Sequence, residues 1–490
     1  MPLAKQNKFD GGHAEDLRTF ATDESEYSKN FDIFTNPHKL IPYPDSVAET
    51  VVGTMDDIEL DFVEYSLIAG TYYLTASGYK AGGSSVAEFF TKDATDSSSG
   101  FNPQADGPAG VYQKGSAVVY KDKYFALSLS GTTWTLIRYD SGGVVTNIDT
   151  VTSAGASPFV RPFVHPEDNV LYGIIGTTIF SWDGTTFTKS TTLIPAGKQP
   201  VSMTDYGTYL AIAMKPLRGT GNSVVYLWGR DMTLNTFQQA LDFGEGSINI
   251  LENLNNDLIG VMQSHKVSVT GYEPSVSYLI VKVYSGGQIQ TIRQLSISTS
   301  LIATFLKLKN RNRLYFGFAG DDCVYTVGQN KEGRYIIAKE RYLLNGTTAV
   351  VFQGLAMIGD ILWTGVSAIG TYVFMRTKTT ATYANTSVYK TTINPDMPID
   401  DRGKMKQLKA FRIYYTGKSS GTITVKYAVD TSTMTSILSE TTAAAEEMKQ
   451  TTMQVDGLAF TAGREIQFQL ESTGGVEIKY YEYEYDFLNQ

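Results

Sequence analysis

Residues 116–143 read SAVVYKDKYFALSLSGTTWTLIRYDSGG, and this stretch decides the fold. It holds three short runs of β-branched and aromatic residues: Ser116–Tyr120, Tyr124–Leu129 and Trp134–Tyr139. Turn residues separate them: Lys121-Asp122, then Gly131, then Ser141-Gly142-Gly143. Short runs of this composition bounded by Gly, Asp and Ser read as strands joined by tight turns.

The same grammar recurs on both sides. Upstream, Asp61 to Phe90 reads as a strand, a turn at Gly70, the strand Thr71–Ala76, a glycine turn and the strand Val86–Phe90. Downstream, Phe159 to Pro195 has a turn at Pro166–Asn169, then Val170–Ile175, Gly176, Ile179–Trp182, the turn Asp183-Gly184, and Phe187. Further copies centre on Tyr209–Met214 with Val224–Trp228, Leu258–Met262 with Tyr278–Tyr284, Leu314–Phe318 with Val324–Val327, and Ile361–Val366 with Tyr372–Arg376. Seven copies over residues 58–393 give a period of about 48 residues, the signature of a β-propeller with four strands per blade. The sequence therefore predicts an all-β chain with a divergent propeller of about seven blades. Trp134, Trp182, Trp228 and Trp363 fall in four different copies, where packing between neighbouring blades is the expected role.

The two ends differ from the repeat. Beyond the turn-rich Asn394-Pro395-Asp396-Met397-Pro398, strands alternate cleanly: Phe411, Ile413 and Tyr415; Ile423, Val425 and Tyr427; Ile466, Phe468 and Leu470; Val476 and Ile478. Period-two runs with one polar face predict an antiparallel β-sandwich over 400–490. The adjacent Tyr480 and Tyr481, followed by Tyr483, Tyr485 and Phe487, slip the phase by one, which a β-bulge explains. Ala443 to Lys449 reads as one or two helical turns. Residues 1–50 hold no persistent period. Their scattered prolines and aromatics, Phe9, Phe20, Tyr27, Phe31, Phe34 and Tyr43 among them, predict an extended arm. It lies either on another subunit or on its own domain, because solvated tails are aromatic-poor. The propeller then occupies 51–395.

Composition agrees. The 490 residues include 45 glycines, 31 tyrosines and one cysteine, and charged residues make up only 19%. A coiled coil, a helical repeat and a disordered chain are excluded. The formal net charge of −9 argues against a general nucleic-acid binder. A lone Cys323 makes no internal disulfide. No membrane span is expected, since the most apolar stretch, Ala349 to Met375, is broken by Gln353, Asp360 and glycines.

Searching for chemistry gives little. His13, His38, His165 and His265 show no metal-ligand spacing and read as surface or loop residues. Asp56-Asp57, Asp321-Asp322 and Asp400-Asp401 sit beside turns, where aspartate caps backbone. Ser181-Trp182-Asp183-Gly184-Thr185-Thr186-Phe187 resembles the Asp-box turn of sialidase propellers, lacks the residue between Asp and Gly, and is a structural turn. No nucleophile elbow, P-loop or dinucleotide fingerprint is present. No catalytic, cofactor or metal residue is nominated.

Charge is unevenly placed. Residues 1–60 carry 5 Lys and Arg against 12 Asp and Glu. Residues 301–345 carry 8 basic against 4 acidic residues. Lys307, Lys309, Arg311 and Arg313 alternate along one run, so one strand face carries them. That face is either a solvated edge that blocks sheet-to-sheet association or a docking face for an acidic partner, such as the arm of a neighbouring copy. Together with Phe9, Phe20, Phe31 and Phe34, these four are the candidate inter-subunit contacts.

The opening Lys8-Phe9-Asp10-Gly11-Gly12, followed by Ala21 to Phe34 and by Asn36-Pro37-His38-Lys39-Leu40-Ile41-Pro42-Tyr43, resembles the openings of virion structural proteins of tailed bacteriophages. A divergent propeller followed by a small sandwich resembles the propeller-built nozzle proteins of short-tailed phages. The resemblance implies a non-enzymatic tail component, assembled in the host cytoplasm with other tail proteins into a ring of copies, often six. Genomic DNA would pass without specific binding. It supplies no catalytic residues. A receptor- or carbohydrate-binding tail propeller, and behind it a glycan depolymerase, are the alternatives.

Overall fold

The computed structural model describes residues 3–6, 25–29, 31–34, 39–43, 46–48, 58–68, 71–80, 87–93, 102–106, 113, 115–139, 145–153, 158–191, 194–195, 197–217, 221–233, 237–266, 276–297, 306–317, 323–330, 333–342, 350–358, 361–368, 371–377, 383, 386–391, 393–395, 397, 401, 403–418, 420–430, 432–452 and 461–488. Among the described residues there is no α-helix. The chain divides into two compact units. One comprises Ala48–Asp321 and Thr347–Arg376; the other comprises Met1–Val47, Asp322–Gly346 and Thr377–Gln490.

The first unit is the propeller. Blade 1 is the antiparallel sheet Ile58–Ile68, Thr71–Lys80, Ala87–Asp93, Asn102–Asp106. Blade 2 is Val118–Tyr120, Lys123–Ser130, Thr133–Tyr139, Val145–Thr152, and blade 3 is Phe159–His165, Val170–Ile175, Thr178–Trp182, Phe187–Lys189. Blade 4 is Lys198–Tyr206, Tyr209–Pro216, Asn222–Gly229, Phe237–Glu245, and blade 5 is Ser247–Leu254, Asp257–Lys266, Val276–Ser285, Gln288–Ile297. The hairpin Leu306–Asn310 and Arg313–Gly317 opens blade 6, and Val350–Ile358, Ile361–Ala368, Thr371–Thr377 form blade 7. The first strand of each blade touches the first strands of the blades before and after it, and blade 7 touches blade 1. This closed circuit of seven inner strands is what makes the unit a propeller rather than a row of hairpins.

The turns explain the sequence. Lys121 and Asp122 hold φ of 47° and 62°, and Asn255 and Asn256 hold 55° and 68°, at the tight connections where first strand meets second. Left-handed backbone at both central residues matches the twist of a two-residue hairpin. Packing between blades is apolar. Trp134 of blade 2 is 1% exposed and stands 5.7 Å from the Phe159 ring of blade 3. Trp228 of blade 4 joins Val160, Tyr172, Ile174 and Ile179 of blade 3 in one cluster. The interblade role expected of tryptophan is met at both positions.

The second unit is a sandwich. One sheet orders Leu3–Gln6, Glu477–Phe487, Lys406–Thr416, Glu446–Thr452. Within this unit the other orders Cys323–Gln329, Tyr335–Tyr342, Ser25–Lys29, Ser387–Thr391, Ile466–Thr473, Gly421–Val429, Thr435–Thr442. Phe411, Tyr481 and Tyr483 from the first sheet meet Phe468 from the second, with ring centroids 4.8–5.9 Å apart. The phase slip read at Tyr480–Tyr481 is present: Tyr414 pairs with Tyr480 and Tyr415 with Ile478, leaving Lys479 bulged. The helical turn expected at 443–449 is not formed; Glu446–Thr452 is a strand paired to Lys406–Thr416.

Two further expectations are corrected. Of the two placements expected for the N-terminal segment, the described residues take the one on their own chain. Ser25–Lys29 is a strand between Tyr335–Tyr342 and Ser387–Thr391, and Leu40 bridges Ile478. Phe31 and Phe34, at 0% and 4% exposure, lie in the sandwich core with Ile33 and Leu40. Buried inside their own chain, they are removed from the inter-subunit candidates. Phe9 and Phe20 lie outside the described residues. The domain boundaries also differ from 51–395 and 400–490, because strand pairing and core contacts decide them and turn composition does not. Within the turn-rich stretch 394–398, the Asn394 N–H donates to Ile466 O at 2.7 Å, Pro395 O accepts from the Tyr483 hydroxyl, and Met397 is in the core.

Candidate functional site

The inner strands of blades 2–6 surround a cavity of about 500 Å³ at the propeller hub. Its polar lining is Arg161, Ser202, Asn249, Glu252 and Lys307, set among apolar residues such as Phe159 and Phe163. Each polar group stands on a first strand because successive side chains alternate between faces.

Glu252 is the centre of this arrangement. It is 7% exposed on the blade 5 strand Ser247–Leu254. Lys307 Nζ of blade 6 stands 2.9 Å from its Oε2. Thr204 Oγ1 of blade 4 donates to Oε1 at 3.0 Å, and the Asn253 N–H donates to the same oxygen at 3.3 Å. Lys309 Nζ lies 4.0 Å from Oε1. Lys307 donates in addition to Leu251 O at 2.7 Å and Met203 O at 3.1 Å. Ser202 Oγ accepts the Leu251 N–H at 3.1 Å and donates to Leu251 O at 3.3 Å. Three blades are thus stitched at the hub by one carboxylate, one ammonium and two hydroxyls.

This corrects the reading of the basic run. Lys307 and Lys309 do share a face, but both turn to Glu252 of the neighbouring blade, and Lys307 is only 25% exposed. Arg311 is exposed at the hairpin turn with φ of 53°, and Arg313 is half-buried. Of the four, Lys309 and Arg311 are the ones a partner can reach.

A second polar cluster ties blade 3 to blade 4. Arg230 Nη1 is 2.5 Å from Asp168 Oδ2, its Nη2 is 2.7 Å from Glu167 Oε2, and its Nε donates to Thr208 O at 2.9 Å. The Tyr172 hydroxyl donates to Asp168 Oδ2 at 2.9 Å. Burial first, then that bond and the Asp168 charge, pushes the Tyr172 phenol upward. His165, expected at the surface, is 1% exposed beneath this turn, and its Nδ1 accepts the Glu167 N–H at 3.3 Å. The Asp-box-like string is a structural turn, as read. Asp183 Oδ1 accepts the Thr185 and Thr186 N–H groups at 2.7 Å each, and these bonds lower its carboxyl pKa.

Among the described residues no cluster of three or more His, Cys, Asp or Glu side chains is placed to hold a metal ion. The site residues that sequence reasoning missed are Glu252, Thr204, Ser202 and Asn249. Their signal is a polar side chain recurring inside an apolar first strand, as in Ile248-Asn249-Ile250-Leu251-Glu252.

No protein-family model and no curated protein matches the sequence. Among solved structures, the chain is similar to BamB from Moraxella catarrhalis at 12% identity, covering 78% of this chain and 99% of that one with a TM-score of 0.39. It is also similar to an exo-β-1,3-galactanase from Phanerochaete chrysosporium, solved with β-1,3-galactotriose, at 9% identity, covering 90% and 100% with a TM-score of 0.29. At these scores the propeller rests on its own strand circuit, and neither likeness speaks to activity.

Proposed function

We propose that this protein is a non-enzymatic structural subunit of a bacteriophage tail, a nozzle- or adaptor-like component that assembles into a ring of copies. The observation that favours a structural over a catalytic hub is the use of Glu252. Glycoside cleavage needs two carboxylates facing one bond, one of them able to give up a proton. Glu252 is instead enclosed by Lys307, Lys309, Thr204 and the Asn253 N–H, which occupy both of its oxygens. The phage assignment itself rests on the resemblance of residues 8–43 and on a propeller followed by a sandwich.

In this reading the propeller is a rigid platform and the ring is held by many weak contacts. Each contact after the first is effectively intramolecular, so modest surfaces suffice, and symmetric closure gives the ring its stoichiometry. Of the four basic positions in the run Lys307 to Arg313, Lys309 and Arg311 are the exposed ones. Genomic DNA would follow the axis of the ring. A hub cavity of about 500 Å³ does not accommodate a duplex whose major groove alone is about 12 Å wide. Among the described residues no helix is long and apolar enough to cross a membrane.

Mass photometry of the full chain at low and physiological salt tests the reading. A closed oligomer of one stoichiometry that releases no reducing ends from bacterial polysaccharide is expected. A monomer at every concentration that cleaves polysaccharide overturns it. One observation favours a second reading, a glycan-binding propeller: half-buried Phe159 and Phe163 share the hub cavity with Asn249. Glycan-array binding by the monomer would support that reading instead.

A further inference from the structure

The sandwich buries a lysine against an asparagine. Lys406, the first residue of the strand Lys406–Thr416, is 0% exposed, and Asn394 is 3% exposed with φ of 51°. Lys406 Nζ donates to Asn394 Oδ1 at 3.4 Å and also to Arg464 O. Asn394 Oδ1 accepts the Ile466 N–H at 2.9 Å, while its Nδ2 donates to Arg464 O at 3.3 Å. These partners fix which end of the amide is oxygen, because only the oxygen can accept from Ile466 and Lys406. The Lys406 and Asn394 nitrogens therefore sit around one shared carbonyl. The carbonyl carbon Cγ lies one bond, about 1.23 Å, from the oxygen that Nζ already touches.

We propose that Lys406 and Asn394 join in an intramolecular isopeptide cross-link, with Nζ bonded to Cγ and ammonia released. The neutral amine attacks Cγ, and the carbonyl electron pair moves onto Oδ1. The Ile466 N–H, aimed at that oxygen from 2.9 Å, holds the developing charge as an oxyanion-hole donor does. Nζ gives up one proton, Nδ2 receives one, and the Cγ–Nδ2 bond breaks. A primary amine and a primary amide thus become a secondary amide and ammonia, with no oxidant or other reactant.

The surroundings suit each step. Attack requires the uncharged amine, and burial pushes the Lys406 pKa down to about 8 against the opposing charges of Asp430, Asp401 and Glu465. About a tenth of the side chain is then neutral at pH 7. Asp430 exerts the strongest of those three charges. It is held in place by the Arg464 and Glu465 N–H groups at 2.9 Å each. Immobilisation of both partners in contact replaces a collision between free groups, which is worth many orders of magnitude in rate. Asn394 precedes Pro395, whose nitrogen carries no hydrogen, so the competing ring closure onto the next backbone nitrogen is blocked.

Intact-mass spectrometry of the full chain under denaturing conditions tests this. The wild type is expected to weigh one ammonia, about 17 Da, less than its sequence. A peptide map should show the Asn394 and Lys406 peptides joined, which separates the cross-link from ring closure at Asn345-Gly346. Lys406→Met and Asn394→Ala should each restore the full mass. A wild type that keeps its full mass after prolonged incubation at pH 8–9 overturns the proposal, as does a mass loss that maps elsewhere.

Discussion

Replacing Lys307 with methionine removes the ammonium from the propeller hub and keeps most of the aliphatic stem. What remains is a Glu252 side chain 9% exposed, whose Oε2 had Lys307 Nζ at 2.9 Å. Its other oxygen keeps Thr204 Oγ1 at 3.0 Å and the Asn253 N–H at 3.3 Å. Lys309, 40% exposed and 4.0 Å away, compensates in part. Removing one partner of a buried ion pair costs about 3–5 kcal/mol when nothing replaces it, so with Lys309 in reach the expected loss is about 2–3 kcal/mol. Glu252→Gln should cost less, about 1–2 kcal/mol, since Lys307 is 25% exposed and keeps two carbonyl acceptors. The double variant should then lose less than the sum of the singles, with a coupling of about 1.5 kcal/mol. All four tryptophans lie in the propeller unit, so urea-induced change in their emission reports on that unit alone. The slope against urea should stay constant while the midpoint moves. A Lys307→Met loss below about 0.5 kcal/mol, the range of an exposed pair, would refute the argument. So would strict additivity of the two substitutions.

Three other outcomes are expected. Phe31→Ala should cost the sandwich unit about 3–5 kcal/mol, seen as an earlier loss of circular dichroism with the tryptophan transition unmoved; a negligible shift would place residue 31 outside the sandwich core. Gly173→Ala should destabilise the propeller by about 1–3 kcal/mol, because an added Cβ would come 2.2 Å from the Phe180 ring within blade 3, and an unchanged urea midpoint would contradict that packing. Burial, then the charge and hydrogen bond of Asp401, raises the Tyr485 pKa to about 12. Folding therefore favours the protonated phenol: its contribution is complete below pH 10 and is lost as pH rises through 10 to 12, by about 2–3 kcal/mol. Tyr485→Phe should flatten that alkaline decline in a pH series of unfolding curves.

The propeller was legible because its signals are local. Each turn, such as Lys121-Asp122 or Asp183-Gly184, is set by residues that touch one another within the hairpin, and the period follows from counting them. The bulge at Lys479 was legible for the same reason, since two adjacent tyrosines cannot both face inward in regular strand. What failed is long-range. Whether Phe31 and Phe34 pack on their own domain or on another subunit stayed open because the strands that bury them begin some 300 residues later. Lys307 and Lys309 were correctly placed on one face, but which way that face turns depends on Glu252 in another blade. His165 ends a strand just before the polar turn Pro166–Asn169, and nothing in that turn announces that Arg230 folds over it.

The hub pair also has a geometric cause. Blades are wedges, narrow at the axis and wide at the rim, so the space between neighbours grows outward. Near the axis, the backbone of one first strand approaches the next closely enough for a short hydroxyl to bridge it. Ser202 does this between blades 4 and 5, and Thr204 reaches the Glu252 carboxylate across the same gap. Farther out, on third strands, the gap needs a large ring, and Trp134, Trp182 and Trp228 occupy it at 1%, 8% and 1% exposure. Between blades 5 and 6 the inner bridge is made by Lys307, which reaches back past Glu252 to the carbonyls of Leu251 and Met203 and so touches blades 4 and 5 together. A lysine has the length for that span and a serine does not. Its alternation with Lys309, which looked like an outward-facing charge pattern, follows from a first strand whose one face must meet the neighbouring blade.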